Sequence, residues 1–281
     1  MLTMKSFGVT ITAEAETLGE TFPFVTIPSF EVLAEGVREK LRVEAILYSP
    51  LLKTREEVPE WQTYSIANQG WLSKSREVAS SSPYTNFNPS DYQTGPITPF
   101  LFDVTEENSV APSLANSEPP YAPIWHVSPP PFLPNLINYN AAWGAFASFN
   151  ASSNAREGIF SSVTDLSAFG DLLITTKHHD AIHADFVDWV NDGSKSAFDH
   201  PHALFNQPVF EKTHDDTSEI VAFLTVLLPW DRYLIDLLPE GVKGITCVIK
   251  NDYGLGGQAF TYSIDGNSVS HRVESSILYI V

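Results

Sequence analysis

The residues best placed by type and spacing to do chemistry are His178, His179, Asp180, His183 and Asp185. On a helix, His179 and His183 stand at i and i+4, so their imidazoles share one face, as on metal-binding helices. The glutamate of an H-E-x-x-H pattern is missing, because Asp180, Ala181 and Ile182 lie between the two histidines. Spacing fixes no third ligand, so a solvated or capping cluster is expected and no metal. His200 and His202 flank Pro201 at the start of a strand, with no nearby nucleophile for either to activate. There is no G-x-S-x-G elbow and no P-loop. Gly254-Leu255-Gly256-Gly257 precedes the strand-like stretch 258–263 rather than a helix, so it reads as a hairpin turn and not a phosphate cradle. The acidic pairs Glu56-Glu57, Glu106-Glu107 and Asp215-Asp216 fall in loops or at helix starts, where charge is solvated, and do not converge. These residues yield no catalytic set and no resident cofactor.

The 281 residues carry 16 Lys+Arg against 34 Asp+Glu, a formal charge of −18. No Lys or Arg occurs between Glu77 and Ala155. A nucleic-acid partner is therefore not expected, since a phosphate backbone needs a basic track. With 43% apolar and 18% charged residues the chain is globular, large enough for one large domain or two small ones. Cys247 is the only cysteine, which excludes an intrachain disulfide and any Cys-based metal site. Asn150-Ala151-Ser152 is a glycosylation sequon, whereas Asn88-Pro89-Ser90 is disqualified by its proline. The longest hydrophobic stretch, residues 220–230, is too short to span a bilayer and suits a buried strand. The first 16 residues make a weak secretory signal at best, and residues 277–281 suit either a final strand or the first residues of a truncated membrane span.

The elements that would hold these residues follow from pattern. Residues 4–20 read as a short helix or stalk. Phe30, Leu33, Ala34, Val37 and Leu41 recur every three or four residues, which predicts an amphipathic helix over 29–41. A strand follows over 43–49. Thr54-Arg55-Glu56-Glu57 has capping-box spacing and opens a second helix running to about Ser80. Between Pro83 and Pro134 lie 12 of the 20 prolines, which predicts a packed, decorated insertion with isolated edge strands over 98–104 and 122–127. Residues 136–151 are expected to be helical, with further helical patches over 163–188. Strands are expected over 202–211, 220–228, 244–250 and 259–264. Helices first and then a strand meander make an α+β fold.

Several stretches resemble the CHASE domain, the extracellular sensor module of membrane receptors that include plant cytokinin-receptor kinases and nucleotide cyclases. They are Phe24-Val25-Thr26-Ile27-Pro28-Ser29-Phe30, the strand and helix carrying Trp61 and Asn68-Gln69-Gly70-Trp71, Tyr121-Ala122-Pro123-Ile124, and Gln207-Pro208-Val209-Phe210. Wording such as YSIANQGWL, YAPIWHVSPPPF and HPHALFNQPVFE is similar to the ectodomains of algal receptor-type guanylate/adenylate cyclases. The resemblance implies N-terminal helices, a stalk over residues 1–20 plus a long helix, with PAS-like antiparallel sheet lobes making a sensor domain over 21–281. It further implies a small-molecule ligand, a homodimer through the stalk helix, flanking membrane spans, and a cyclase or phosphodiesterase domain elsewhere in the receptor. The chain itself would be no enzyme and would lie outside the plasma membrane.

Carried over position by position, the acidic residue that anchors the purine in cytokinin receptors falls on Pro129, which argues against cytokinin. A hydroxyl falls on Ser161, after Gly158. The implied polar inventory of the ligand pocket is Trp125, His126, Ser161 and Asn206, each also compatible with sheet packing. Two other readings stand beside this one: a stand-alone binding or scaffold protein of the same fold, and a metallohydrolase built on His178 to His183.

Overall fold

The computed structural model describes residues 2–43, 45–82, 97–104, 110–111, 118–130, 136–142, 148–163, 202–235, 242–251, 258–265 and 268–272. Chain order gives helices α1 (Leu2–Leu18) and α2 (Phe30–Leu41), strand β1 (Ala45–Pro50), and helices α3 (Glu57–Ala67) and α4 (Gly70–Ser81). The proline-rich insertion follows, holding β2 (Asp103–Val104), β3 (Val110–Ala111) and β4 (His126–Ser128). Then come α5 (Ser148–Ala155), β5 (Ile159–Val163), β6 (His202–Phe210), β7 (Ile220–Pro229) and α6 (Trp230–Ile235). The chain closes with β8 (Ile245–Asn251), β9 (Gln258–Asp265) and β10 (Ser268–Arg272). The fold is α+β.

The large sheet is antiparallel throughout, ordered β4-β1-β7-β6-β5. Counting only its own strands along the chain, they lie second, first, fifth, fourth, third. A separate three-stranded meander, β8-β9-β10, buries Phe260, Tyr262 and Ile264 together with Leu234 of α6. Strands β2 and β3 form a two-stranded antiparallel ribbon of their own.

Cross-strand partners share a face, and neighbours along a strand alternate. The register places Tyr48 beside His126 and Leu224, and Leu224 beside Gln207, so these four point to one side. Helices α1 and α2 cover that side. Met4, Phe7, Ile11 and Ala15 of α1 recur at helical spacing and are buried in the same core as Phe30 of α2. The Thr12 hydroxyl also donates to the Phe210 carbonyl at 2.8 Å. The stretch expected as a stalk is helical over residues 2–18, and its apolar stripe lies on the sheet. On the opposite side, Phe149 of α5 stacks on Phe223 with ring centroids 4.3 Å apart.

Two helical expectations change. The helix beginning near Thr54 is two helices: the Asn68 side-chain amide donates to the Tyr64 carbonyl at 2.9 Å beside the backbone bond from Asn68 N–H, competing with propagation of the ladder. Within the stretch 136–151 predicted as helix, residues 136–142 form turns and bridges instead, and α5 covers Ser148–Ala155. Upstream, Asn138 takes φ +72° and Asn140 bridges to Pro123, because asparagine tolerates the left-handed region and bonds locally to backbone. The capping expectation at Thr54 is met on the glutamate side, where Glu57 accepts the Thr54 backbone N–H at 3.1 Å.

Candidate functional site

Where α2, α3 and α4 meet strand β4, a box of rings is built around Trp125 and His126, both fully buried. Trp125 packs edge-on to Trp61 at 5.4 Å and Trp71 at 5.6 Å, while Phe30 stacks on His126 at 4.9 Å. Aromatic spacing in α3 and α4 aims Trp61 and Trp71 inward. The half-buried pair Phe24 and Tyr64, in edge contact at 5.5 Å, forms its outer rim.

Asn138 ties this box to the insertion. Its Oδ1 accepts from Trp61 Nε1 at 2.9 Å, and its Nδ2 donates to the Thr98 carbonyl at 2.7 Å and to Ser65 Oγ at 3.1 Å. Thr26 and the Tyr64 hydroxyl share a 2.7 Å bond, and Trp125 Nε1 donates to Thr26 Oγ1 at 3.2 Å. Burial pushes the Tyr64 phenol up to about 12.

His126 accepts the Ile27 backbone N–H on Nε2 at 3.0 Å. Desolvation holds its pKa well below the usual imidazole value, so the ring is neutral and the remaining proton sits on Nδ1. That Nδ1, the Tyr48 hydroxyl and Trp71 Nε1 are buried without a hydrogen-bond partner among the described residues. The rings concerned touch: Trp71 to His126 at 4.4 Å and Tyr48 to His126 at 5.8 Å. Burial also raises the Tyr48 phenol well above its ordinary value, so it keeps its proton.

Beside the box, Arg38 pairs with Glu31 at 3.2 Å and donates from Nε to Ser128 Oγ at 2.8 Å. Burial lifts the Glu31 carboxyl to about 7 despite the opposing pull of Arg38. Its Oε2 has no partner among the described residues.

Asn206 lies elsewhere. It is next to Gln207 in β6, so it points to the α5 side of the sheet, away from His126. There its Oδ1 accepts from Thr225 Oγ1 at 2.6 Å, and its backbone carbonyl accepts from Ser152 Oγ at 3.1 Å. Ser161 pairs with Leu204 in the β5–β6 register, two positions from Ile159, the partner of Asn206. The implied inventory therefore divides: Trp125 and His126 lie in the box, while Asn206 belongs to the opposite face. Gly158 precedes β5 where a Cβ would come within 2.1 Å of the Phe205 ring, so only glycine fits there. Pro129 is buried directly after β4.

The sequon asparagine Asn150 is exposed on α5, whereas Ser152 is buried. Cys247 is a free, partly buried thiol of the small sheet. The cluster His178 to Asp185, His200 and the glycine run 254–257 lie outside the described residues, and the His202 side chain is likewise undescribed. Among the described residues no group of three His, Cys, Asp or Glu side chains is arranged to hold a metal, and no helix is long and apolar enough to cross a membrane. A shallow surface dimple between α1 and the β6–β7 turn is lined by Lys5, Thr12, Lys212, His214 and Asp216. A Lys5–Asp216 ion pair crosses it.

Tyr48, Trp71, Glu31 and Asn138 were not singled out from sequence as site residues. Trp71 sits in a stretch noted only for its resemblance, and Asn138 carries the one readable signal, an Asn-Tyr-Asn run where local backbone bonding competes with helix. No family model, no curated protein and no solved structure matches the chain.

Proposed function

We propose that this chain is the extracellular small-ligand-sensing domain of a transmembrane receptor nucleotide cyclase, with ligand binding relayed to a cyclase or phosphodiesterase domain elsewhere in the receptor. The observation that carries this reading is the α+β architecture itself, a five-stranded antiparallel sheet with α1 and α2 laid on one face, in keeping with the helices and antiparallel sheet that the resemblance implies. Supporting it, α1 crosses the sheet directly over β6, so a ligand that reseats α2 or the sheet would move the helix implied to lead to the membrane. The buried stripe of α1 is already occupied by the core, so a homodimer through this helix would use its opposite face.

The test is a broad metabolite screen read by thermal unfolding, with the transcript read outward from both ends of the 281 residues. A native-state ligand at about 100 times its dissociation constant stabilises by about 2.7 kcal/mol, a shift of a few degrees. Expected is at least one such ligand and flanking spans with a cyclase or phosphodiesterase domain. A screen without stabilisation, or a transcript lacking any output domain, removes the reading.

A further inference from the structure

We infer that Asn150 carries an N-linked glycan, added before the chain has folded, and that the docking of α5 then closes the acceptor site. The inference rests on the extracellular reading, because only a chain that enters the secretory lumen meets the transferase.

The chemistry needs an asparagine amide, a hydroxyl two residues on and no proline between them. Asn150-Ala151-Ser152 meets all three conditions, and no other asparagine of the 281 residues does, since Asn88 is followed by Pro89. The donor is an oligosaccharide held on a polyprenyl diphosphate. A bond forms from Asn150 Nδ2 to the anomeric carbon, the bond from that carbon to the diphosphate oxygen breaks, and the amide gives up one proton. The polyprenyl diphosphate leaves with the electron pair.

The fold treats the two ends of this triplet differently. Helix α5 turns Phe149 and Ser152 inward: Phe149 stacks on Phe223 with centroids 4.3 Å apart, and the buried Ser152 hydroxyl lies 2.6 Å from the Glu157 carbonyl and 3.1 Å from that of Asn206. Asn150 and Asn154, at i and i+4, share the exposed face. A glycan on Asn150 therefore displaces no packing, whereas the hydroxyl that the transferase reads is out of reach once α5 is seated.

Before seating, α5 has little to hold it. Its eight residues, SFNASSNA, fall short of the roughly 12–15 at which an isolated helix becomes even marginal, and serine and asparagine are poor helix formers. Its anchors come later in the chain: Asn206 is 54 residues beyond Ser152, and Phe223 is further still. Until β6 and β7 exist, the triplet is open chain that a transferase can engage. The placement also agrees with the implied assembly. Phe223 adjoins Leu224 in β7 and faces away from α1, so a bulky, hydrated glycan on α5 leaves the helix implied to pair with a second copy clear.

The experiment translates the chain behind a cleavable secretory leader into microsomes that hold the transferase and its lipid-linked donor, and reads glycosidase-sensitive gel shift and peptide mass. Expected is a single shift, absent from Asn150→Gln, a change at an exposed side chain that leaves thermal unfolding as in the wild type. Chain folded first and then given transferase and donor should be modified at least about tenfold more slowly than a peptide of residues 148–155, because α5 must first open locally. A lumenal, folded chain without glycan, or a shift that persists in Asn150→Gln, overturns the site. Equal rates for folded chain and peptide overturn the closure. The leader delivers the chain whatever its native address, so these outcomes leave the sensing reading standing; that reading falls instead on the ligand screen and the transcript.

Discussion

The two faces of the large sheet bury polar side chains at similar depth and match them to different extents, with Ser49 Oγ the unpartnered group on the α5 side among the described residues. On the α5 side the Asn206 carbonyl group is matched to Thr225, and Ser152 spans to the strand backbone. On the α2 side Tyr48, Trp71 and His126 bury donors that have no partner among the described residues. Burial alone therefore does not separate matched polar clusters from unmatched ones; the state of their hydrogen bonds does.

The comparison can be broken by substitution. The largest effect is expected at Asn138, which belongs to the box yet is fully bonded. Asn138→Ala takes the acceptor from Trp61 Nε1, removes the donor to Ser65 Oγ and to the Thr98 carbonyl, and places alanine at φ +72°, so denaturant unfolding should show a loss of about 4 kcal/mol. A loss below about 1 kcal/mol would show that the box does not depend on its tie to the insertion.

Next comes Glu31. Its folded pKa of about 7 lies above the ordinary 4.5, so the native state holds the proton more tightly. The stability this carboxyl contributes is complete below about pH 4.5 and fades as pH rises to about 7, by roughly 3 kcal/mol in all. Unfolding measured from pH 4.5 to 8 for the wild type and Glu31→Gln should give a difference with that slope, flat above pH 7; a constant difference sinks the prediction. His126 titrates the other way, since its folded pKa is depressed: its contribution is complete above about pH 6.5 and declines below it.

The sharpest contrast pairs two smaller changes. Thr225→Val leaves Asn206 Oδ1 without its donor and should destabilise by about 2 kcal/mol. Tyr48→Phe deletes a hydroxyl that bonds to nothing described, and should leave the melting temperature within about 2 °C. Equal losses from both would erase the distinction between the faces.

Much of the scaffold was legible because periodicity reports burial directly. The strands β1, β6, β7, β8 and β9 and the helix α2 fall close to where alternating or three-to-four spacing places them. The turn around Asn138 was hard to read, since LINYNAAWGAFASFNA has helical composition and long-range bonds to Trp61, Thr98, Phe102 and Ile124 hold it open. The site was half legible. Trp125 and His126 do meet, but the parity that turns Asn206 to the other face depends on register with β1 and β7, which no local pattern encodes. Likewise, a donor counts as unsatisfied only after every neighbouring segment is in place.

The seating of α1 over β6 has a consequence during synthesis. The Thr12 hydroxyl and the Phe210 carbonyl are 198 residues apart in sequence. At about 5–20 residues per second, translation needs on the order of 10–40 s to produce the strand that α1 covers. For that interval the Met4, Phe7 and Ile11 stripe has Phe30 of α2 beside it but not the strand it covers, so α1 is made long before its burial is complete. A nascent chain arrested before β6 should therefore keep this helix accessible to chaperones or to the membrane surface, and release it only when the sheet closes.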